Sequence, residues 1–209
     1  MDEQAAMAGL DVSHETLARL TNFVELLRRE NELQNLVSRG SLEQVWLRHI
    51  YDSAQLLRFV QPSASWIDLG TGAGFPGLIA AALRPGPTTL IEARKLRAEF
   101  LSRAAGVLGA ADRTQIICSK VEMAPAVRYS VISARAFAPL DKLFSLGERF
   151  SGEGTIWLLP KGRNAQTELE AASASWQGDF RLEPSLTDPE SRIIIASAVR
   201  RRGKGKSAR

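Results

Sequence analysis

Near the N-terminus apolar residues recur at helical spacing. Leu17, Leu20, Phe23, Val24 and Leu27 share one face of a helix that Ser13 is able to cap. A second helix is predicted from Ser41, where Ser41-Leu42-Glu43-Gln44 has the form of a capping box. Its apolar face uses Leu42, Val45, Trp46, Ile50, Leu56 and Leu57. Residues 31–40 between the two are polar and read as a turn, and residues 1–12 read as a loose leader. The punctuation Gln61-Pro62-Ser63-Ala64-Ser65 then marks a boundary.

Beyond it the pattern changes to short apolar strands alternating with helices, the mark of a layered α/β sheet. Strands are predicted at 65–69, 88–92, 114–118, 129–134, 155–160, 179–186 and 191–199. Helices are predicted at 75–83, 94–108, 139–150 and 163–176, the second with Leu96, Phe100, Leu101, Ala104 and Leu108 facing inward. Only Thr187-Asp188-Pro189-Glu190 separates the last two strands, so they should form an antiparallel hairpin at the end of the sheet. The expected division is a helical extension over 1–62, a catalytic α/β domain over 63–199 and a basic, disordered tail over 200–209.

Charge sharpens that last boundary. The chain has 27 basic and 23 acidic residues, but six of the basic ones lie in 200–209, leaving 21 against 23, a formal charge of −2, for residues 1–199. The basic end could attract a polyanion or act only as a solubilising end. A single cysteine, Cys118, excludes an internal disulfide framework, and there is no CxxC pair or histidine cluster for a metal. Cys118 ends a predicted strand without a Pro-Cys context and reads as a small core residue. No signal-peptide layout and no apolar run of membrane-spanning length occur, so a cytoplasmic protein with no membrane partner, acting as a monomer, is expected.

The stretch Trp66-Ile67-Asp68-Leu69-Gly70-Thr71-Gly72-Ala73-Gly74-Phe75-Pro76-Gly77 reads as a strand end, a glycine turn and a helix start. Gly70, Gly72 and Gly74 permit positive φ and close approach of a ligand to the backbone. Such a turn serves dinucleotides and S-adenosyl-L-methionine alike. The spacing here is G-x-G-x-G, not the G-x-G-x-x-G of dinucleotide sites, and Glu92 ends the second strand where a carboxylate can bind ribose hydroxyls. Together with the closing hairpin, this favours a Rossmann-like class I methyltransferase sheet of seven strands. Asp68 suits either ligand contact or bonding of loop amides. His49 and Asp52 share a helix face and suggest a hydrogen-bonded clamp between extension and sheet. Lys161, Arg163, Arg94, Lys95 and Arg97 could form an RNA-facing or merely solvated rim, and Phe137 is the aromatic beside it.

Several segments together resemble the RsmG (GidB) family of 16S ribosomal RNA guanine methyltransferases. They are Asn35-Leu36-Val37-Ser38, Arg48-His49-Ile50-Tyr51-Asp52-Ser53, the glycine stretch from Asp68 to Gly77, Ile91-Glu92, Lys120-Val121-Glu122, Ser133-Ala134-Arg135-Ala136-Phe137-Ala138 and Leu159-Pro160-Lys161-Gly162. The resemblance implies methyl transfer from S-adenosyl-L-methionine to guanine nitrogen 7, at position 527 in the 530 loop of 16S rRNA, with the RNA or the small ribosomal subunit as partner. It implies that Gly70 and Phe75 lie against the cofactor, that Val121 and Glu122 border its adenine, and that Arg135 reaches it from the fourth strand. Asn35 would cap its turn or contact RNA. Lys120 departs from the family's usual arginine, and Val37 from a frequent threonine. Rivals from other classes are a methyltransferase for a non-RNA substrate, a non-catalytic RNA-binding or cofactor-sensing protein, and a nicotinamide oxidoreductase.

Overall fold

A computed structural model describes residues 2–203. Helices α1 (Glu3–Ala8), α2 (His14–Gln34) and α3 (Arg39–Glu43) lead into a continuous helical run over 46–59, which contains π-helical Trp46–Tyr51, α4 (Asp52–Ala54) and 3₁₀ Gln55–Phe59. Next come β1 (Trp66–Leu69), α5 (Gly77–Leu83), β2 (Thr88–Glu92), α6 (Lys95–Val107), β3 (Thr114–Cys118), β4 (Val131–Ser133), α7 (Leu140–Gly147), β5 (Ile156–Lys161), α8 (Ala165–Ser173), β6 (Trp176–Pro184) and β7 (Arg192–Arg201). The sheet order is β3-β2-β1-β4-β5-β7-β6. Strands β1 to β5 pair in parallel, and β7 runs antiparallel to both β5 and β6, the closing hairpin that the Thr187–Glu190 turn predicts.

All residues of β1 and β2 are buried, as expected of central strands of a parallel sheet covered on both faces, including the polar Asp68, Thr88, Thr89 and Glu92. One face of the sheet packs on α2, α5, α6 and the helical run through Phe23, Leu27, Ile50, Phe75, Leu78 and Phe100. The other packs on α7 and α8 through Phe144, Trp157 and Trp176. A third cluster joins Leu56 of the helical run to Trp66, Val131 and Ile193 of the strands.

Several expectations are corrected. Residues 3–8 are helical and docked: Asp2 caps α1, Ala6 is fully buried, and the Glu3 carboxylate accepts from the N–H groups of Trp46 and Leu47 at 2.8 and 2.9 Å. Helix α2 continues through the predicted turn to Gln34, ending at Asn35 in the left-handed region, and Asn31 Oδ1 accepts from Val37 N–H. Ser38 rather than Ser41 caps α3. Leu96, in the first turn of α6, is 63 % exposed, and the buried face of the helix uses Ala98, Phe100, Leu101, Ala104 and Ala105 instead. Cys118 is also exposed, since β3 is an edge strand. The predicted strand 179–186 begins earlier, at Trp176, in place of the last turn of the predicted helix 163–176, and β7 continues through Arg200 and Arg201. Arg201 lies over the Trp176 ring, and Arg202 donates to the Ser173 and Trp176 carbonyls, so this part of the basic end is ordered. Residues 204–209 lie outside the described residues.

Candidate functional site

The glycine loop leaves β1 at Asp68, which is fully buried. Its carboxylate accepts from Thr71 Oγ1 at 2.5 Å, Gly77 N–H at 3.0 Å and Ser133 Oγ at 2.6 Å. Burial pushes its pKa up to about 6, against the opposing pull of these hydrogen bonds and of Arg135. Asp68 therefore holds the loop together and presents nothing to a ligand. Gly70, Gly72 and Gly74 have φ of 65°, 59° and 95°, as their spacing predicts. A Cβ on Gly70 would stand 2.1 Å from the Phe137 ring, so the ring lies flush on the backbone there.

Glu92, at the end of β2, is 6 % exposed. Its Oε2 accepts from Gly72 N–H at 3.0 Å and its Oε1 from Arg94 N–H at 2.8 Å. Each oxygen retains a second lone pair, so the carboxylate can still accept two hydroxyl donors. It is not the solvent-paired acid that Arg94 or Lys95 would neutralise, since Lys95 lies beside Glu99 instead. Gly70, Glu92, Val121, Glu122 and Phe137 line a cavity of about 540 Å³. The cavity has an apolar wall in Ile91 and Val121, a carboxylate at a strand end to accept from hydroxyls and a bare glycine backbone, features that suit an adenine nucleoside. The residues present fit S-adenosyl-L-methionine.

The remaining predicted site residues lie elsewhere. Gly72 touches the cavity's chemistry only through its N–H to Glu92, and Gly74 is packed under Leu78. Phe75 is 3 % exposed, stacked on His49 with centroids 4.7 Å apart and edge-on to Phe23 at 5.8 Å. It braces the loop from below.

Arg135 faces a second, larger cavity of about 850 Å³, also lined by Arg48, His49, Asp52 and Lys161. Its Nη1 donates to the Arg48 carbonyl at 3.0 Å and to Asp52 Oδ2 at 3.3 Å, its Nη2 meets His49 Nδ1 at 2.8 Å, and its guanidinium lies over the Phe75 ring. A guanidinium only donates, so Nδ1 is the acceptor and the imidazole proton sits on Nε2. That Nε2 is buried without a partner among the described residues. Burial first, then the charges of Arg135 and Arg48, hold the His49 pKa down at about 3. The expected His49 and Asp52 clamp is thus real and closes on Arg135. It extends further than the sequence indicated: Asp52 Oδ1 accepts from Thr187 at 2.7 Å, Gln55 bonds Ser185 at 3.1 Å, and Arg48 pairs with Asp188 at 3.3 Å. These contacts latch the β6–β7 turn to the helical run. The residues Ala136, Phe137 and Ala138 line both cavities and form the wall between them.

The anticipated basic rim divides. Lys161 is inside the larger cavity, paired with Glu168 at 2.7 Å, and Arg163 pairs with Glu190 at 3.1 Å. Arg94 and Arg97 line the smaller cavity, joined by Lys120 and by Lys142, which no sequence motif had singled out. Asn35 serves as the C-cap of α2.

A model described as GidB, rRNA small subunit methyltransferase G, matches residues 16–187. The chain belongs to this family. It is 49 % identical to the ribosomal RNA small subunit methyltransferase G of Rhizorhabdus wittichii, over 100 % of this chain and 99 % of that one. With the protein of that name from Novosphingobium aromaticivorans it shares 52 % identity, over 89 % and 82 % of the two chains. The fold is that of class I S-adenosyl-L-methionine-dependent methyltransferases. An O-methyltransferase from Bacillus cereus in complex with SAH superimposes with a TM-score of 0.61 at 14 % identity, covering 93 % of this chain and 96 % of that one. An RNA methyltransferase from Salinibacter ruber in complex with S-adenosyl-L-homocysteine gives 0.53 at 18 % identity, covering 69 % and 88 %. Among the described residues no helix is long and apolar enough to cross a membrane.

Proposed function

We propose that this methyltransferase G family member transfers a methyl group from S-adenosyl-L-methionine to nitrogen 7 of the guanine at position 527 in 16S rRNA. The observation that carries the reading is the pair of cavities meeting at one thin wall on the carboxyl edge of the sheet, where open α/β sheets bind ligands. The methyl donor belongs in the smaller cavity, with Glu92 accepting from the ribose hydroxyls, the Gly70 backbone beneath it and Val121 against the adenine. The target nucleotide belongs in the larger cavity, beside Arg135 and Lys161. Phe137, on the wall, offers a face on which a splayed base can stack.

When bound, the donor supplies an electrophilic methyl on a sulfonium. Guanine nitrogen 7 has a free lone pair and carries no proton, so no side chain has to remove one. The residues of the larger cavity match this requirement. His49, neutral down to about pH 3 and tied to Arg135, is fixed as an orienting group, not a proton shuttle. Arg135 is held by three acceptors and keeps further N–H donors for a base edge or phosphate. We take the enzyme to act as a monomer in the cytoplasm. The test is incubation with donor and with small subunits lacking the modification, followed by nucleoside mass spectrometry: 7-methylguanosine is expected, and its absence contradicts the reading.

A further inference from the structure

The cations at the carboxyl edge of the sheet are of two kinds. Around the larger cavity Arg48, Arg135 and Lys161 each have a carboxylate partner, Asp188, Asp52 and Glu168 respectively, while Arg192 is held by the Pro189 and Ser191 carbonyls. Around the mouth of the smaller cavity stand Arg94, Arg97, Lys120 and Lys142, and among the described residues none of these four has an ion-pair partner. They converge from four places: the N-cap of α6, its first turn, the segment after β3, and the first turn of α7. Arg94, Lys120 and Lys142 are exposed, and Arg97 is half-buried near the Gly72 backbone. Two carboxylates line the same cavity, Glu92 and Glu122, and both oxygens of Glu92 already accept from the loop amides.

Local stability does not account for this cluster. Lys95 and Arg97 lie in the first turn of α6, which contains no acid, and a positive side chain at a helix N-terminus has the wrong sign for the macrodipole. Four unpaired cations around one opening also repel one another, and together they raise the positive potential there. Such an arrangement suits a polyanion laid across the opening.

We propose that the sugar-phosphate backbone of the RNA crosses the mouth of the smaller cavity on Arg94, Arg97, Lys120 and Lys142, so that bound RNA covers the methyl donor. The proposal rests on the rRNA reading above and adds the path of the strand and an order of events. The donor enters before the RNA, and its demethylated product, S-adenosyl-L-homocysteine, leaves after it.

The test uses the full chain and a small-subunit RNA fragment carrying the unmethylated guanine. RNA affinity is measured against salt without cofactor, and release of S-adenosyl-L-homocysteine is measured with and without RNA. The double variant Arg97→Gln/Lys142→Gln should lower the slope of log affinity against log salt by about 1.4, about 0.7 for each phosphate of a single strand that is no longer neutralised. A control, Arg28→Gln/Arg39→Gln, removes the same charge from exposed N-terminal arginines outside both cavities and should leave the slope nearly unchanged. RNA should slow release of the product from the wild type, and slow it less from the Arg97/Lys142 variant. Equal slope changes in the two variants, or release that ignores RNA, would overturn the proposal. So would weakened binding of the product to the Arg97/Lys142 variant without RNA, which would assign these cations to the cofactor. If the wild type neither binds nor methylates the RNA, the rRNA reading itself fails and this proposal with it; if it methylates normally while the slopes match, only the strand path is wrong.

Discussion

The two cavities share the 136–138 wall but settle most of their charges in different ways, Arg192 of the larger one being held by backbone carbonyls and not by an acid. In the larger one, Arg135 is fixed by Asp52, His49 and the Arg48 carbonyl, and Arg48 and Lys161 are held by Asp188 and Glu168. In the smaller one the buried carboxylate of Glu92 accepts from backbone amides, while among the described residues the cations at its mouth form no ion pair. Paired charges are rigid and orient what they touch; unpaired ones attract from a distance and are screened by salt. In the proposed reading, one sheet edge thus separates the placing of a nucleotide from the capture of a strand.

The strongest challenge to that division is Arg135→Ala. It should lower turnover on small subunits on the order of 100-fold through misplacement of the nucleotide, while leaving donor affinity within a few-fold. Glu92→Ala is expected to do the reverse: donor affinity measured by calorimetry should weaken about 10-fold or more, as loss of hydrogen bonds to a charged group predicts, with RNA affinity little changed. Gly70→Ala forces a left-handed Cβ against Phe137 and should cost at least about 1–2 kcal/mol in urea unfolding, along with donor affinity.

A pH-dependent effect tests the His49 clamp. The His49 pKa is about 3 in the fold and 6.5 without its surroundings, so between these values the unfolded chain binds the extra proton and stability rises with pH. Above 6.5 neither state carries it and the contribution is flat. Asp68, raised from 3.8 to about 6, acts with the opposite sign between those two values and is common to wild type and variant. The difference in stability between wild type and His49→Gln should therefore shrink or reverse as pH falls from about 6.5 towards 3. A pH-independent difference would show that His49 is not held neutral.

The sheet was legible because β1, β4 and β5 are short, mostly apolar stretches and β2 a short β-branched one, each between turn residues, and the hairpin because Thr187-Asp188-Pro189-Glu190 leaves no room for a helix. The glycine loop and Glu92 were legible because their chemistry is local. What escaped depends on distant partners. Glu3 turns the leader into a docked helix by capping residues more than forty positions away. Ser38 and Ser41 are equally good caps by type, and only the path of the chain out of α2 selects Ser38. Thr187, Ser185 and Asp188 look like simple turn residues until the fold brings Asp52, Gln55 and Arg48 against them. The resemblance implied that Arg135 reaches the cofactor; in the fold it lines the larger cavity, held there by Arg48, His49 and Asp52, more than eighty positions away in the chain.

The most direct test of the division between the cavities is calorimetric titration of S-adenosyl-L-methionine into Glu92→Ala and Arg135→Ala, each shown to be folded. Loss of affinity in Glu92→Ala with near wild-type affinity in Arg135→Ala is the predicted result. Loss in Arg135→Ala with binding retained in Glu92→Ala would contradict it.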